Sequence, residues 1–159
     1  MEASMDIPNF LDLAEALETQ ISLLYNTIAE RSGDPPIAAR LKALANEELN
    51  HANVLRSGKR YFKELPDLFT GITIDENEAK VGLEEAKMLY ASLSHGKIPL
   101  IDGLKKMLGL EKRFEKIHMG ASVTITEPSL KKLLTTLTNG DQSHILVLQG
   151  LIESFGDNV

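Results

Sequence analysis

The chain has 159 residues, 43% of them hydrophobic and 25% charged, which is the balance of one globular domain. Its net charge of −6 argues against nucleic acid as a partner, because phosphate binding needs a basic surface. It contains no cysteine, which excludes disulfides, thiolate metal sites and cysteine nucleophiles. No apolar run approaches the ~18 residues of a membrane span, and the first residues are acidic, so we expect a cytoplasmic protein without membrane contact.

The first half of the chain carries the pattern of two long helices. Apolar side chains recur every three to four positions over residues 13–28, which predicts an amphipathic helix that ends near Gly33. Asp34 is a typical helix cap and Pro35 fits the first turn of a helix, so we expect a second helix to begin there. This second helix should continue to about Pro66.

The second half predicts two more long helices after a connection. Residues 66–76 contain proline, glycine and threonine and are expected to form a loop, and a shorter helix should follow over about residues 77–94. A third long helix is expected at about residues 99–122 and a fourth at about residues 126–155. No segment gives a strong strand pattern. We therefore predict an all-α fold, a four-helix bundle in which a long crossover with a short helix joins the second and third long helices.

The two halves of the chain match each other at an offset of 93 residues without a gap, so that residue 48 corresponds to residue 141. The simplest interpretation is two similar helical hairpins, at about residues 9–64 and 98–156, joined by a crossover at residues 65–97. Together they form a single domain, residues 1–159. Three of the matched pairs carry side chains that commonly bind metals: Glu18 and Glu111, Glu48 and Asp141, and His51 and His144.

Each repeat places a carboxylate and a histidine three residues apart, so both lie on one face of a helix. Bundle cores that hold two metal ions use this spacing on two helices, with one further glutamate from each of the other two. Gly33 is 15 residues from both Glu18 and Glu48, so the first hairpin brings these carboxylates to one level. The second hairpin has the same spacing. We therefore predict a dinuclear metal site with six ligands: Glu18, Glu48, His51, Glu111, Asp141 and His144.

A single Glu-x-x-His motif on a helix is weak evidence, because both residues are frequent on solvated helix faces. Here His51 shares its helix face with Leu44 and Val54, and His144 shares its face with matching apolar residues. Carboxylates buried in such a layer would cost several kcal/mol unless they were paired or bound to metal. The paired motifs and equal spacings therefore favour the metal site over a solvated helix face.

With these residues the sequence resembles the ferritin-like di-iron carboxylate superfamily, and within it the rubrerythrin-like proteins, over nearly the whole chain. Asp141 departs from the family pattern, which usually has glutamate there, and the chain lacks the cysteines of a rubredoxin module. The pattern that carries the resemblance is Glu18-x6-Tyr25, Glu48-x2-His51, Glu111 and Asp141-x2-His144, together with Gly96-Lys97-Ile98-Pro99-Leu100 before the third long helix.

The resemblance implies a ferritin-like bundle with two iron ions; manganese is a further metal that the oxygen and imidazole ligands suit. It implies reduction of hydrogen peroxide or dioxygen with electrons from an external donor such as a rubredoxin-like protein, and assembly into a homodimer. Three other functions stay open: a ferroxidase or iron-handling protein, a di-iron hydroxylase, and a partner-binding bundle with a vestigial metal site.

Three further residues are candidates for the surroundings of the metals. Tyr25, seven residues after Glu18, would by the resemblance reach a carboxylate of the other hairpin; the alternative is an ordinary core tyrosine. His118 follows Glu111 at the same distance and is either a substitute for such a tyrosine or a partly exposed histidine. By the resemblance, Glu115 is a possible additional ligand.

Overall fold

The computed structural model describes residues 3–5, 7–64, 72–125 and 127–157. Within these ranges the backbone is almost entirely helical, so the predicted all-α fold class is confirmed. The elements are, in chain order, β1 (Ala3–Met5), α1 (Ile7–Arg31), α2 (Pro35–Glu64), β2 (Ile72–Ile74), α3 (Glu76–Ser94), α4 (Leu100–Thr124) and α5 (Pro128–Asp157).

The two short strands pair with each other. β1 and β2 are antiparallel, with Ser4 opposite Thr73. The expectation of a loop over residues 66–76 was therefore wrong for residues 72–74, and residues 66–71 lie outside the described part of the chain. A three-residue strand whose partner is about 70 positions away leaves no local periodicity, which is why the sequence pattern missed it.

α2 and α5 begin in the same way. Asp34 Oδ1 accepts a hydrogen bond from the backbone N–H of Ile37 (3.2 Å), and Glu127 Oε2 accepts one from the N–H of Leu130 (2.7 Å). Each carboxylate directly precedes the proline at which its helix starts, which satisfies an N–H group that the first turn leaves without a helical partner. The matched caps set both helices at corresponding positions of the repeat.

Two pairs of helices dominate the packing. α1 packs along α2 and α4 along α5, while α3 packs against α1 and α4. The α1–α2 contacts are antiparallel: Ser22 Oγ donates to the carbonyl of Ala45 at 2.8 Å, and Arg56 Nη2 pairs with Glu15 Oε1 at 2.7 Å. Leucine, isoleucine and alanine side chains form most of the core between the helices. None of the helices in the described ranges has the length and apolar character needed to cross a membrane.

Two adjacent leucines of α1 test this burial pattern. Leu24 is fully buried, so Leu24→Ala should leave a cavity and lower the free energy of unfolding by about 2–5 kcal/mol. Leu23 is 41% exposed, and Leu23→Ala should change it by only about 0.5 kcal/mol. Chemical denaturation of both variants measures the difference, and equal losses would contradict this packing.

Candidate metal centre

Each of the four long helices places one carboxylate in the core at the same level. These side chains belong to residues that are 0–3% exposed, which is rare for a carboxylate without a compensating charge. Their removal from water costs several kcal/mol each unless protons, cations or hydrogen bonds compensate. The four are Glu18 on α1, Glu48 on α2, Glu111 on α4 and Asp141 on α5.

The carboxylates and nearby histidines form three overlapping groups of potential ligands, each with donor atoms within 4.8 Å of one another. Glu18 and Glu48 each belong to two of them, which is the arrangement of a carboxylate that bridges two ions. All six ligands predicted from the sequence lie in this cluster, and His118 joins it. The groups are Glu18, Glu48 and His51; Glu48, Glu111 and His144; and Glu18, His118 and Asp141.

His144 is held between carboxylates on both sides of its ring. Its Nδ1 lies 2.5 Å from Glu48 Oε1 and 3.4 Å from Glu111 Oε1. Its Nε2 lies 2.7 Å from Glu47 Oε2, at the outer edge of the cluster. A carboxylate on the outer nitrogen fixes the orientation of a metal-binding histidine and raises its basicity. The sequence alone indicates a surface or hydrogen-bonding carboxylate at Glu47, and the structure gives it a hydrogen bond with His144.

His51 occupies the matching position but has different surroundings. Its Nδ1 lies 3.3 Å from Glu48 Oε2 and 3.7 Å from Glu18 Oε2, and its side chain is 14% exposed. Gly140 corresponds to Glu47 in the repeat, and a Cβ atom there would lie only 2.4 Å from Cε1 of the His51 ring. The glycine therefore lets α5 approach this imidazole closely.

Tyr25 and His118 are also equivalent in the repeat. Tyr25 Oη donates to Glu111 Oε1 at 2.5 Å, so the tyrosine contacts a carboxylate of α4. Burial and the negative charge of Glu111 and Glu48 raise the pKa of Tyr25 well above its usual value. The phenol therefore keeps its proton at neutral pH.

His118 is buried on the other side of the cluster, at 1% exposure. Its Nδ1 donates to Asp141 Oδ2 at 2.6 Å. Within the described residues its Nε2 has no hydrogen-bond partner, and it lies 3.5 Å from Glu18 Oε1. Burial alone would lower the pKa of His118, but the charge and hydrogen bond of Asp141 raise it to about 9.

The structure does not bring Glu115 into the cluster. Its Oε1 accepts a hydrogen bond from Gln142 Nε2 at 3.1 Å, at a partly exposed edge between α4 and α5. Although it follows Glu111 by one helical turn, its carboxylate has a different partner. It joins none of the ligand groups found among the described residues.

Protons compensate the buried charge when no cation is bound. Burial raises the pKa of Glu18 well above its usual value and that of Glu48 to about 7. Burial lowers the pKa of His144, but its contacts with Glu111 and Glu48 outweigh this effect and raise it to about 11. Two divalent cations would balance four carboxylates in place of these protons. The oxygen and imidazole donors suit iron or manganese, so the residues fit such a pair.

The response to pH follows from these shifts. The pKa of Glu48 rises on folding from 4.5 to about 7, and that of His144 from 6.5 to about 11. The folded chain therefore binds more protons than the unfolded chain, and the metal-free protein should lose stability as the pH rises from about 5 to 9. Bound cations displace these protons, so the gain in melting temperature on anaerobic addition of Mn²⁺ should be larger at pH 8 than at pH 6. Equal gains would contradict this competition.

A substitution at Gly140 tests how the surroundings of His51 affect metal binding. Gly140→Ala should displace the His51 ring and weaken the binding of one cation by about tenfold or more, while a second cation still binds near His144. Gly150→Ala is the matched control, because a Cβ atom at this glycine of the same helix has no neighbour within 4 Å. Calorimetric titration of both variants with Mn²⁺ measures the effect. Identical titrations would show that the close approach at Gly140 does not matter for metal binding.

Comparison of the chain with models of protein families, with curated proteins and with solved structures finds no match. The interpretation of the cluster therefore rests on its own geometry and chemistry.

Proposed function

We propose that this chain is a rubrerythrin-like di-iron protein with a ferritin-like bundle, which reduces hydrogen peroxide with electrons from an external donor. The observation that carries the proposal is the buried layer in which four helices present four carboxylates and two matched histidines. Glu48 lies in both the His51 group and the His144 group, as a bridging ligand would. A single structural ion pair would not require this number of acidic groups.

The helix packing supports the ferritin-like arrangement. α1 with α2, and α4 with α5, correspond to the two hairpins of the sequence repeat. Their contacts bring the repeats face to face at the cluster: Tyr25 of α1 reaches Glu111 of α4, and His144 of α5 reaches Glu48 of α2. A two-metal site between two hairpins needs these contacts across the bundle.

Two ferrous ions held in this layer would supply the two electrons that convert hydrogen peroxide and two protons into two molecules of water. The protein provides the ligands and excludes bulk water, since most of the cluster is fully buried. Tyr25 Oη keeps a proton against Glu111 Oε1, beside the centre. The ring of His51 is the exposed edge of the ligand set, which makes this edge the route by which a small oxidant would arrive.

The resemblance supplies the preference for peroxide, and the chemistry agrees with it. Peroxide takes up two electrons on reduction to water, the number that a pair of ferrous ions holds, whereas dioxygen takes up four. The electrons must come from outside, because the chain has no cysteine for an iron–sulfur or rubredoxin site. We therefore propose a one-electron donor such as a rubredoxin-like protein as the partner, and a homodimer as the assembly.

The expected result is faster oxidation by hydrogen peroxide than by dioxygen. The protein is loaded with two Fe²⁺ per chain without oxygen, reduced, and mixed with each oxidant at equal concentration in a stopped-flow spectrometer. One molecule of peroxide should oxidise two iron ions. Faster reaction with dioxygen, with uptake of many iron ions per chain, would instead identify an iron-storing ferroxidase.

Two carboxylates of α4 provide a test variant and its matched control. Glu111→Gln removes a charge from the cluster and should abolish stoichiometric loading with two iron ions. Glu115→Gln makes the same chemical change four residues later, outside the cluster, and should react like the unaltered protein. If Glu111→Gln retained both the two bound ions and the rapid reaction, the proposed site would be wrong.

A further inference from the structure

His118 is the buried imidazole that the predicted six-ligand set does not use. One ring nitrogen is satisfied by Asp141, while Nε2 has no hydrogen bond within the described residues. A buried polar atom without a partner is uncommon in folded proteins, and here it lies beside two carboxylates. The repeat partner of His118 is Tyr25, whose hydroxyl donates its proton in a hydrogen bond to Glu111. The two matched positions therefore differ in what they can offer a cation.

We propose that His118 binds metal directly through Nε2, so that the two metal positions of the cluster are chemically different. Two imidazoles face Glu18: His51 Nδ1 lies 3.7 Å from its Oε2 and His118 Nε2 lies 3.5 Å from its Oε1, so in this proposal both serve the position near Glu18. The position near Glu111 has one, from His144, and a protonated phenol beside it. This inference rests on the proposed metal centre but not on its reaction with peroxide.

The hydrogen bond to Asp141 orients the ring for this role. With Nδ1 donating to Asp141 Oδ2 at 2.6 Å, the neutral imidazole carries its lone pair on Nε2. A carboxylate on the outer nitrogen is the usual support of a metal-binding histidine. Glu47 gives the same support to His144 on the opposite side, through Nε2 of that ring. Both imidazoles thus have one nitrogen held by a carboxylate.

The distance from His118 Nε2 to Glu18 Oε1 fits a shared cation. Nitrogen and oxygen ligands lie about 2.0–2.2 Å from a divalent transition metal, so two ligands of one ion are about 3–3.5 Å apart. The observed separation is 3.5 Å, longer than a good hydrogen bond. Asp141 lies in the same ligand group as these two residues rather than with Glu111.

The shorter side chain of Asp141 accounts for the asymmetry. Glu48, its repeat partner, belongs to two of the three ligand groups and has the longer side chain. Asp141 has one methylene fewer and is engaged with His118. The Glu18 position therefore gains an imidazole, and cations that favour nitrogen ligands should fill it first.

X-ray absorption of the cobalt protein tests the proposal. With one equivalent of Co²⁺ added anaerobically to the full chain, the spectrum should show two imidazoles per cobalt, and His118→Gln should show one. In calorimetry, the first of two unequal binding steps should weaken by about tenfold or more in this variant, while the second step is retained. The count of imidazoles separates a ligand from a residue that only positions other ligands, since the latter would change affinity alone.

Two more variants keep the test decisive. His118→Tyr places the side chain of the opposite repeat at this position and serves if His118→Gln does not fold. His95→Gln is the matched control, because this exposed histidine lies outside the cluster, and it should leave the first step and the imidazole count unchanged. One imidazole per cobalt in the unaltered protein, with two cobalt ions bound, would overturn the role of His118 and leave the metal centre intact. No cobalt binding at all would overturn both.

Discussion

The burial of four carboxylates at one level is the constraint on which the rest of this structure depends. Four negative charges in a dry layer are unstable, so the same layer must contain what neutralises them. α1 packs antiparallel to α2, and α4 to α5, so the charged side chains and their partners enter the layer from helices that run in opposite directions. His144 and His118, from different helices, each meet a carboxylate there. Apolar side chains of the same helices, above and below this layer, keep water away from these contacts.

The sequence repeat provides matched positions, but the side chains at those positions have diverged. Tyr25 donates a hydrogen bond to a carboxylate, whereas His118 Nε2 has no hydrogen bond within the described part of the chain. Glu47 supports a histidine where Gly140 leaves space for one. In the proposed centre the backbone thus offers two similar places for cations, while the substituted side chains make the two places chemically unequal. Because the two places differ in their ligands, they differ in affinity, and the tighter one is filled first.

Much of this arrangement could be predicted from sequence, because periodicity and spacing act along the helix. The starts of α2 and α5 and the level shared by Glu18 and Glu48 follow from caps and from the rise per residue. The partners of Glu47 and Glu115 and the position of His118 Nε2 beside Glu18 could not be predicted. They depend on side-chain directions across helices, which local spacing does not determine. The β1–β2 pairing depends on a contact distant in sequence.

The metal-free layer is already arranged as a ligand set, because protons hold together the same atoms that a cation would. The short contact of His144 Nδ1 with Glu48 Oε1 holds one proton, and burial raises the pKa of Glu18 well above its usual value, so that this carboxyl holds another. When a cation replaces these protons, it supplies the positive charge that balances the carboxylates, and no helix or loop has to form. Binding therefore avoids the cost of ordering a segment, and more of the ligand–metal interaction remains as affinity. A buried site of this kind is selective through geometry that is fixed before the metal arrives.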